Sequence, residues 1–276
     1  MLPGYHTAGL LQHDLVVAME SLAELGFRSV AIRPRSGMLD WTRDQFGSEL
    51  LRVADAIART GLDLIVDFEP HFVGDPWKCQ GPSLASSDAA EAERARESIE
   101  AWLVYAGELR ASLLTFGSGP ATQEFEPVES VLERLGSQLD PIVARSEECG
   151  IQAALRPQHG AAISTVAKFE RLQQWLHSDR LMLAADIGEM LRGHELPLAD
   201  RLARHLDTLA CVYLCDRKAG QPHDVPLGQG DVAHDRILRG LTEQRFSGPV
   251  IARVEGHSEL GFSPAAEAIQ ILGSSG

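Results

Sequence analysis

The stretch Phe46 to Asp67, FGSELLRVADAIARTGLDLIVD, decides the fold. Its first part, Phe46 to Thr60, has helical apolar spacing and is closed by Gly61. Glycine just past a helix end takes the left-handed conformation that stops the helix. Leu62-Asp63-Leu64-Ile65-Val66-Asp67 follows at once. A short, nearly continuous apolar run is the pattern of a strand buried on both faces of a parallel sheet. The unit is therefore helix, turn and strand, with an acid at the strand's far end.

The same unit recurs on both sides. Upstream, a helical stretch from Asp14 to Leu25 is closed by Gly26 and followed by Ser29-Val30-Ala31-Ile32-Arg33. Downstream, Ala89 to Arg110 leads to Ser112-Leu113-Leu114-Thr115-Phe116, and Pro127 to Cys149 leads to Gly150-Ile151-Gln152-Ala153-Ala154-Leu155. Three further runs are Leu181 to Asp186, Leu209 to Leu214 and Val250 to Ala252. A first strand near Gly4 to Thr7 brings the count to eight. Eight such units in a chain of this length predict an α/β fold, a single (β/α)8 TIM barrel, over residues 1–272. Gly273-Ser274-Ser275-Gly276 is expected to be a flexible tail. An open doubly wound sheet is the competitor, but it calls for a glycine-rich loop after the first strand. None is present, and Gly117-Ser118-Gly119 is too short to serve.

The 276 residues are 44% hydrophobic and 23% charged, a composition that supports a large core. A formal net charge of −14 repels nucleic-acid phosphates and anionic membranes, so neither is an expected partner. No apolar run approaches the roughly 18 residues of a membrane span. Met1-Leu2-Pro3-Gly4-Tyr5 lacks the basic start of a signal peptide. Cys79, Cys149, Cys211 and Cys215 form no CxxC pair and are expected to be free thiols in a reducing compartment, the cytoplasm.

In a barrel of this kind the active site lies at the C-terminal ends of the strands. Those ends carry His6, Arg33, Asp67 with Glu69, Thr115 with Ser118, Arg156 with His159, Asp186 with Glu189, Tyr213 with Asp216, and Arg253 with Glu255. Any one of them is equally a solvated loop residue. Polar groups on nearly every strand end are what a ligand-binding mouth requires. Trp41, Trp77, Trp102 and Trp175 read as packing residues, with Trp77 also placed to stack on a sugar face.

Four stretches carry a resemblance. They are Leu22 to Val30 (LAELGFRSV), Asp75-Pro76-Trp77-Lys78 with Gly81-Pro82-Ser83-Leu84, Pro226 to Val232 (PLGQGDV), and Phe246-Ser247-Gly248-Pro249-Val250. Together they resemble the xylose isomerase-like TIM barrels, which include sugar phosphate isomerases, epimerases and AP-endonuclease-type barrels. The resemblance covers nearly the whole chain. It implies a divalent cation held by a glutamate on the fifth strand, an aspartate on the sixth, a histidine on the seventh and a glutamate on the eighth. Carboxylates would then move a proton between adjacent sugar carbons. Here those positions hold Arg156, Asp186, Tyr213 and Arg253, and the histidine usual three residues after the aspartate is Glu189. A guanidinium stays protonated and has no lone pair to give a cation. The metal cage is therefore expected to be rewritten, and no metal is assigned. A register slip of two would put Glu255 in place of Arg253, but it leaves Arg156 in position.

The resulting expectation is a sugar, sugar-phosphate or sugar-acid isomerase or epimerase-like protein. A non-catalytic pseudoenzyme, binding an anionic carbohydrate, is the alternative. Asp186, Glu189 and Glu255 are the candidates for proton transfer. Arg156, Arg253, Tyr213, Asp216, His159, His6 and Trp77 are the candidates for holding a small carbohydrate or anionic sugar derivative. The arginines should make the mouth more positive than in relatives. They would either pair with Asp186, Glu189 or Asp216, or grip a carboxylate or phosphate in bidentate fashion. Arg33, Arg35, Arg217 and Lys218 stand at neighbouring strand ends to join them. No cofactor is expected; the alternative is Mn or Mg at a relocated site of His159, Asp186, Asp216 and Glu255, with His257. DNA repair of the AP-endonuclease type is set aside, since it needs a metal cluster and a basic face. The resemblance also implies self-association into dimers or tetramers.

Overall fold

A computed structural model describes residues 1–73, 75–120, 126–176, 180–221 and 223–273. In chain order the elements are β1 (Leu2–His6), α1 (Leu15–Glu24), β2 (Ser29–Ile32), α2 (Phe46–Thr60), β3 (Asp63–Phe68), α3 (Ala89–Glu108), β4 (Leu113–Phe116), α4 (Val128–Cys149) and β5 (Gln152–Leu155). They continue with α5 (Val166–Leu176), β6 (Met182–Asp186), α6 (Ile187–Arg192), α7 (Leu198–Ala203), β7 (Leu209–Leu214), β8 (Asp216–Arg217), β9 (Asp224–Val225), α8 (His234–Glu243), β10 (Pro249–Ala252) and α9 (Ser263–Gly273). Local chemistry sets several boundaries. Asp14 caps α1 by accepting the N–H groups of Val16 and Val17. Gly61 and Gly150 end α2 and α4 at φ 66° and 68°, where a side chain would be strained.

Eight parallel strands close into a barrel in the order β1-β10-β7-β6-β5-β4-β3-β2, the predicted TIM barrel. β8 and β9 form a separate antiparallel hairpin between β7 and α8. At two residues per strand it is too short to leave a periodic signal in the sequence. The helix α9 includes Gly273, the first residue of the expected tail. Ser274 to Gly276 lie outside the described residues.

The register explains what lies inside. It aligns Ala31 with Ile65, Ile65 with Leu113, Ala154 with Met182, and Ala184 with Cys211. Ala31, Ile65, Leu113, Ala154, Ala184, Cys211 and Ile251 pack within the barrel, with Tyr213 against them from the layer above. Three of these are alanines, so small side chains make up much of this layer. Side-chain direction repeats every two residues along a strand. One step of two toward the C-terminal end therefore brings inward His6, Arg33, Asp67, Thr115, Arg156, Asp186, Tyr213 and Arg253, one per strand. The opposite faces pack on the helices in a second, larger core. There Trp102, fully buried, meets Trp41, Phe46, Phe68 and Tyr105.

Candidate active site

Asp67, at the end of β3, organises the mouth. Its Oδ2 accepts from His6 Nε2 at 2.9 Å and from Arg33 Nη2 and Nε at 2.9 and 3.2 Å. Its Oδ1 accepts from Arg156 Nη1 at 2.7 Å and Thr115 Oγ1 at 3.0 Å. His6 Nδ1 accepts the Ala8 N–H at 3.0 Å, so the ring is the neutral tautomer with its proton on Nε2. Burial lowers the His6 pKa, and the hydrogen bond to Asp67 only partly opposes it. Burial would raise the Asp67 carboxyl, but Arg156, Arg33 and then His6 outweigh it and hold the pKa well below the usual carboxylate range. Tyr213 extends the chain: its hydroxyl sits 2.8 Å from Thr115 Oγ1 and so donates toward Asp67. The Arg156 guanidinium lies 5.2 Å from the Tyr213 ring centroid, a cation–π contact.

Glu69 shares the same guanidiniums. It accepts from Arg156 Nη2 at 2.5 Å and Gln158 Nε2 at 3.0 Å, and Arg33 Nη2 lies 3.0 Å away. Against its burial, Arg156 and Arg33 hold the Glu69 carboxyl far below its ordinary value. Arg33 Nη2 also reaches Glu255 at 2.9 Å. Burial opposes the effect, yet Arg33 and Arg253 bring the Glu255 pKa down to about 2.

Across the barrel, Arg253 Nη1 lies 2.8 Å from Asp186 Oδ2. This is an ion pair without hydrogen-bond alignment, for Asp186 Oδ2 and the Nε atoms of Arg253 and Arg156 are buried with no aligned partner. The other Asp186 oxygen caps α6, accepting from Gly188 and Glu189 N–H at 2.9 and 3.2 Å. Burial raises the Asp186 pKa in spite of Arg253.

The expected pairing partners were half right. Arg253 takes Asp186, whereas Arg156 takes Asp67 and Glu69 from β3. Three guanidiniums (+3) face four carboxylates (−4), leaving −1: β3 supplies two acids that balance the arginines.

The remaining candidates divide. Glu189 accepts the His159 N–H at 2.6 Å and pairs with Arg192. Asp216 faces the backbone: it accepts N–H groups from Arg217, Gly228, Gly230 and Val232 at 2.8–3.1 Å and so shapes the loop 226–232. A Cβ at Gly230 would collide with that carboxylate and with Arg217 O. Trp77 is 92% exposed, so its expected packing role is corrected; it lies on a loop tied back by the Phe72 N–H to Cys79 O bond. His257 Nε2 lies 2.8 Å from Asp224 O. The alternative metal set of His159, Asp186, Asp216, Glu255 and His257 is not assembled: among the described residues no three histidine, cysteine or acidic side chains gather to hold an ion.

A cavity of about 440 Å³ opens beside this cage, over the ends of β3 to β6. Glu69, Gln158, His159, Glu189 and Arg192 supply its polar wall, and Trp41, Phe68, Leu84 and Ile99 its apolar one. Gln158 and Arg192 carry no signal of a site role in the sequence. Asp67 and Glu69 were visible at a strand end, but only the register brings them against Arg156.

A family model described as xylose isomerase-like TIM barrel matches residues 19–273. An inosose dehydratase from Lacticaseibacillus casei is 27% identical over 147 residues, which cover 52% of this chain and 44% of that protein. The match thus spans less than half the length of that curated relative. Among solved structures, the D-psicose 3-epimerase from Clostridium cellulolyticum H10 with D-tagatose has a TM-score of 0.79 at 15% identity, over 100% of this chain and 99% of the other. The IolI protein with a bound zinc atom has a TM-score of 0.74 at 14% identity, over 100% and 96%. At these identities the structural likenesses describe the fold.

Proposed function

The chain belongs to the xylose isomerase-like TIM barrels, and from that premise we propose that it is an isomerase- or epimerase-type barrel for a small neutral carbohydrate, working without a divalent ion. The observation that carries this reading is the sealed ion-pair cage. Arg156 is fully buried against Asp67 and Glu69, and Arg253 covers Asp186. These residues do not fit a divalent cation: two permanently protonated groups stand where donors are required, and the surviving aspartate is already paired.

The ligand then belongs in the adjoining cavity, whose volume suits a monosaccharide. Its charges argue for a neutral one. Two carboxylates, Glu69 and Glu189, flank it with Arg192 alone in opposition, so a sugar phosphate or sugar acid would meet net repulsion. Glu189 is the proton-transfer group, its carboxylate held by the His159 N–H in the first turn of α6. Arg192 donates to the carbonyl oxygen on which negative charge develops as Glu189 takes the neighbouring carbon's proton. Glu69, held strongly acidic, is a weak base and accepts substrate hydroxyls. Arg156, Arg253, Asp67 and Asp186 fix the floor. The four free cysteines support a reducing, cytoplasmic setting, and among the described residues no helix is long and apolar enough to cross a membrane.

A second reading, a carbohydrate-binding barrel without turnover, is favoured by the low pKa values of Glu69 and Glu255. Solvent-deuterium incorporation into ketohexoses and inososes, followed by NMR in EDTA, separates the two. Exchange at one carbon that Glu189→Gln reduces at least about 100-fold, as loss of general base catalysis does, supports the enzyme. Binding without exchange leaves the second reading. Stoichiometric metal required for exchange, or binding of sugar phosphates alone, overturns the proposal.

A further inference from the structure

A second cavity, of about 580 Å³, opens among the α6–α7 turn, β8 and the start of α8. Its floor is apolar, with Leu198 and Ile237 among the lining residues. Its rim carries Arg192, Arg217, Lys218 and Arg236 against one acid, Asp231. The Asp231 carboxylate accepts the Ala219 N–H at 2.7 Å. Four cations around one opening run against the trend of a chain with net charge −14. Arg192 is paired with Glu189, and Arg217 Nε lies 3.6 Å from Asp224. Among the described residues, no carboxylate pairs with Lys218 or Arg236. The ten-residue helix α8 starts at the same rim with Ala233 in the cap position, which offers no side-chain acceptor to the first-turn N–H groups. That helix end adds partial positive charge.

We propose that this cavity binds an amphipathic anion, with an apolar ring or chain on the floor and a phosphate or carboxylate head between Lys218 and Arg236. Apolar burial supplies affinity in proportion to area, and the two unpaired cations supply direction and selectivity. Neither half of the site suffices alone. Arg192 lines both cavities, but the head group sits between Lys218 and Arg236, so the inference does not depend on the carbohydrate reading.

The test is titration calorimetry of the full chain with phenyl phosphate and benzoate, each set against inorganic phosphate and phenol. The expected result is that at least one aromatic anion binds at least tenfold more tightly than either single-part control, with affinity falling as salt rises. Preference between the two names the head group. Lys218→Glu with Arg236→Glu, two exposed changes, should weaken that anion at least tenfold and leave the melting temperature within about 2 °C. Equal binding of inorganic phosphate, or unaltered binding by the double variant, overturns the proposal. So does a change of oligomeric state in the double variant without anion binding, which marks the face as a contact between copies of the chain.

Discussion

At the scale of single residues, burial decides which charges matter. Arg156→Ala leaves Asp67 and Glu69 with an uncompensated share of buried charge, and removing one partner of a buried pair costs about 3–5 kcal/mol. Urea denaturation should register that loss. Arg59→Ala removes a pair with Glu20 whose members are about half exposed, and the expected loss is within about 0.5 kcal/mol. Titration gives a second test. The His6 pKa is lowered from 6.5, so its contribution to stability is full above 6.5 and falls as pH drops from there through the folded value. The carboxyls of Asp67, Glu69 and Glu255 are also lowered, so their contribution is full above their ordinary 3.8–4.5 and lost as pH falls further, toward about 2 for Glu255. Asp186 runs the other way, its raised pKa costing stability as pH rises through the folded value. Melting temperature from pH 8 to pH 3 should decline in two steps, the upper one vanishing in His6→Asn. A flat profile between pH 7 and pH 5 would contradict the assignment of a buried neutral imidazole.

At the scale of elements, one carboxylate shapes the β7–α8 connection. Asp216→Ala deprives the Gly228, Gly230 and Val232 N–H groups of their acceptor. Hydrogen bonds to charged groups contribute roughly 1.5–3 kcal/mol each. The expected outcome is a loss of at least about 3 kcal/mol, with new proteolytic cleavage between residues 217 and 232. Cleavage unchanged from the parent would refute the role. The strands and most helices were legible because glycine stops and unbroken apolar runs are local signals, as at Gly61 with Leu62 to Asp67. The sequence also exposed the positions of Arg156 and Arg253. It did not expose the partners of Arg156, because Asp67 is 89 residues from Arg156 and nothing local ties them. The backbone contacts of Asp216 were hidden for a similar reason: a carboxylate that binds backbone looks, in one dimension, like one that binds ligand.

At the scale of the molecule, the barrel brings one polar side chain from each of its strands into one layer above an apolar one. If guanidiniums provide the central charge, removal of divalent ions should not alter the fold. EDTA dialysis should leave the melting temperature unchanged, and 1 mM Mn or Mg should shift it by less than about 1 °C. A specific ion present far above its dissociation constant stabilises by several kcal/mol, so a large shift would show that one binds.

The sharing of Arg156 between Asp67 and Glu69 also restricts which sequences this scaffold tolerates. Exchanging Arg156 for an acid crowds a third carboxylate against those two and leaves Arg33 as their nearest counter-ion. Exchanging Asp67 for a neutral residue strands His6, Thr115 and two guanidiniums around a missing acceptor. Either step alone enters a valley of unstable variants. Any route between a cation-filled and an arginine-filled barrel must therefore change β3 and β5 together, and a library varying both strands at once should recover folded members that single-site scanning misses.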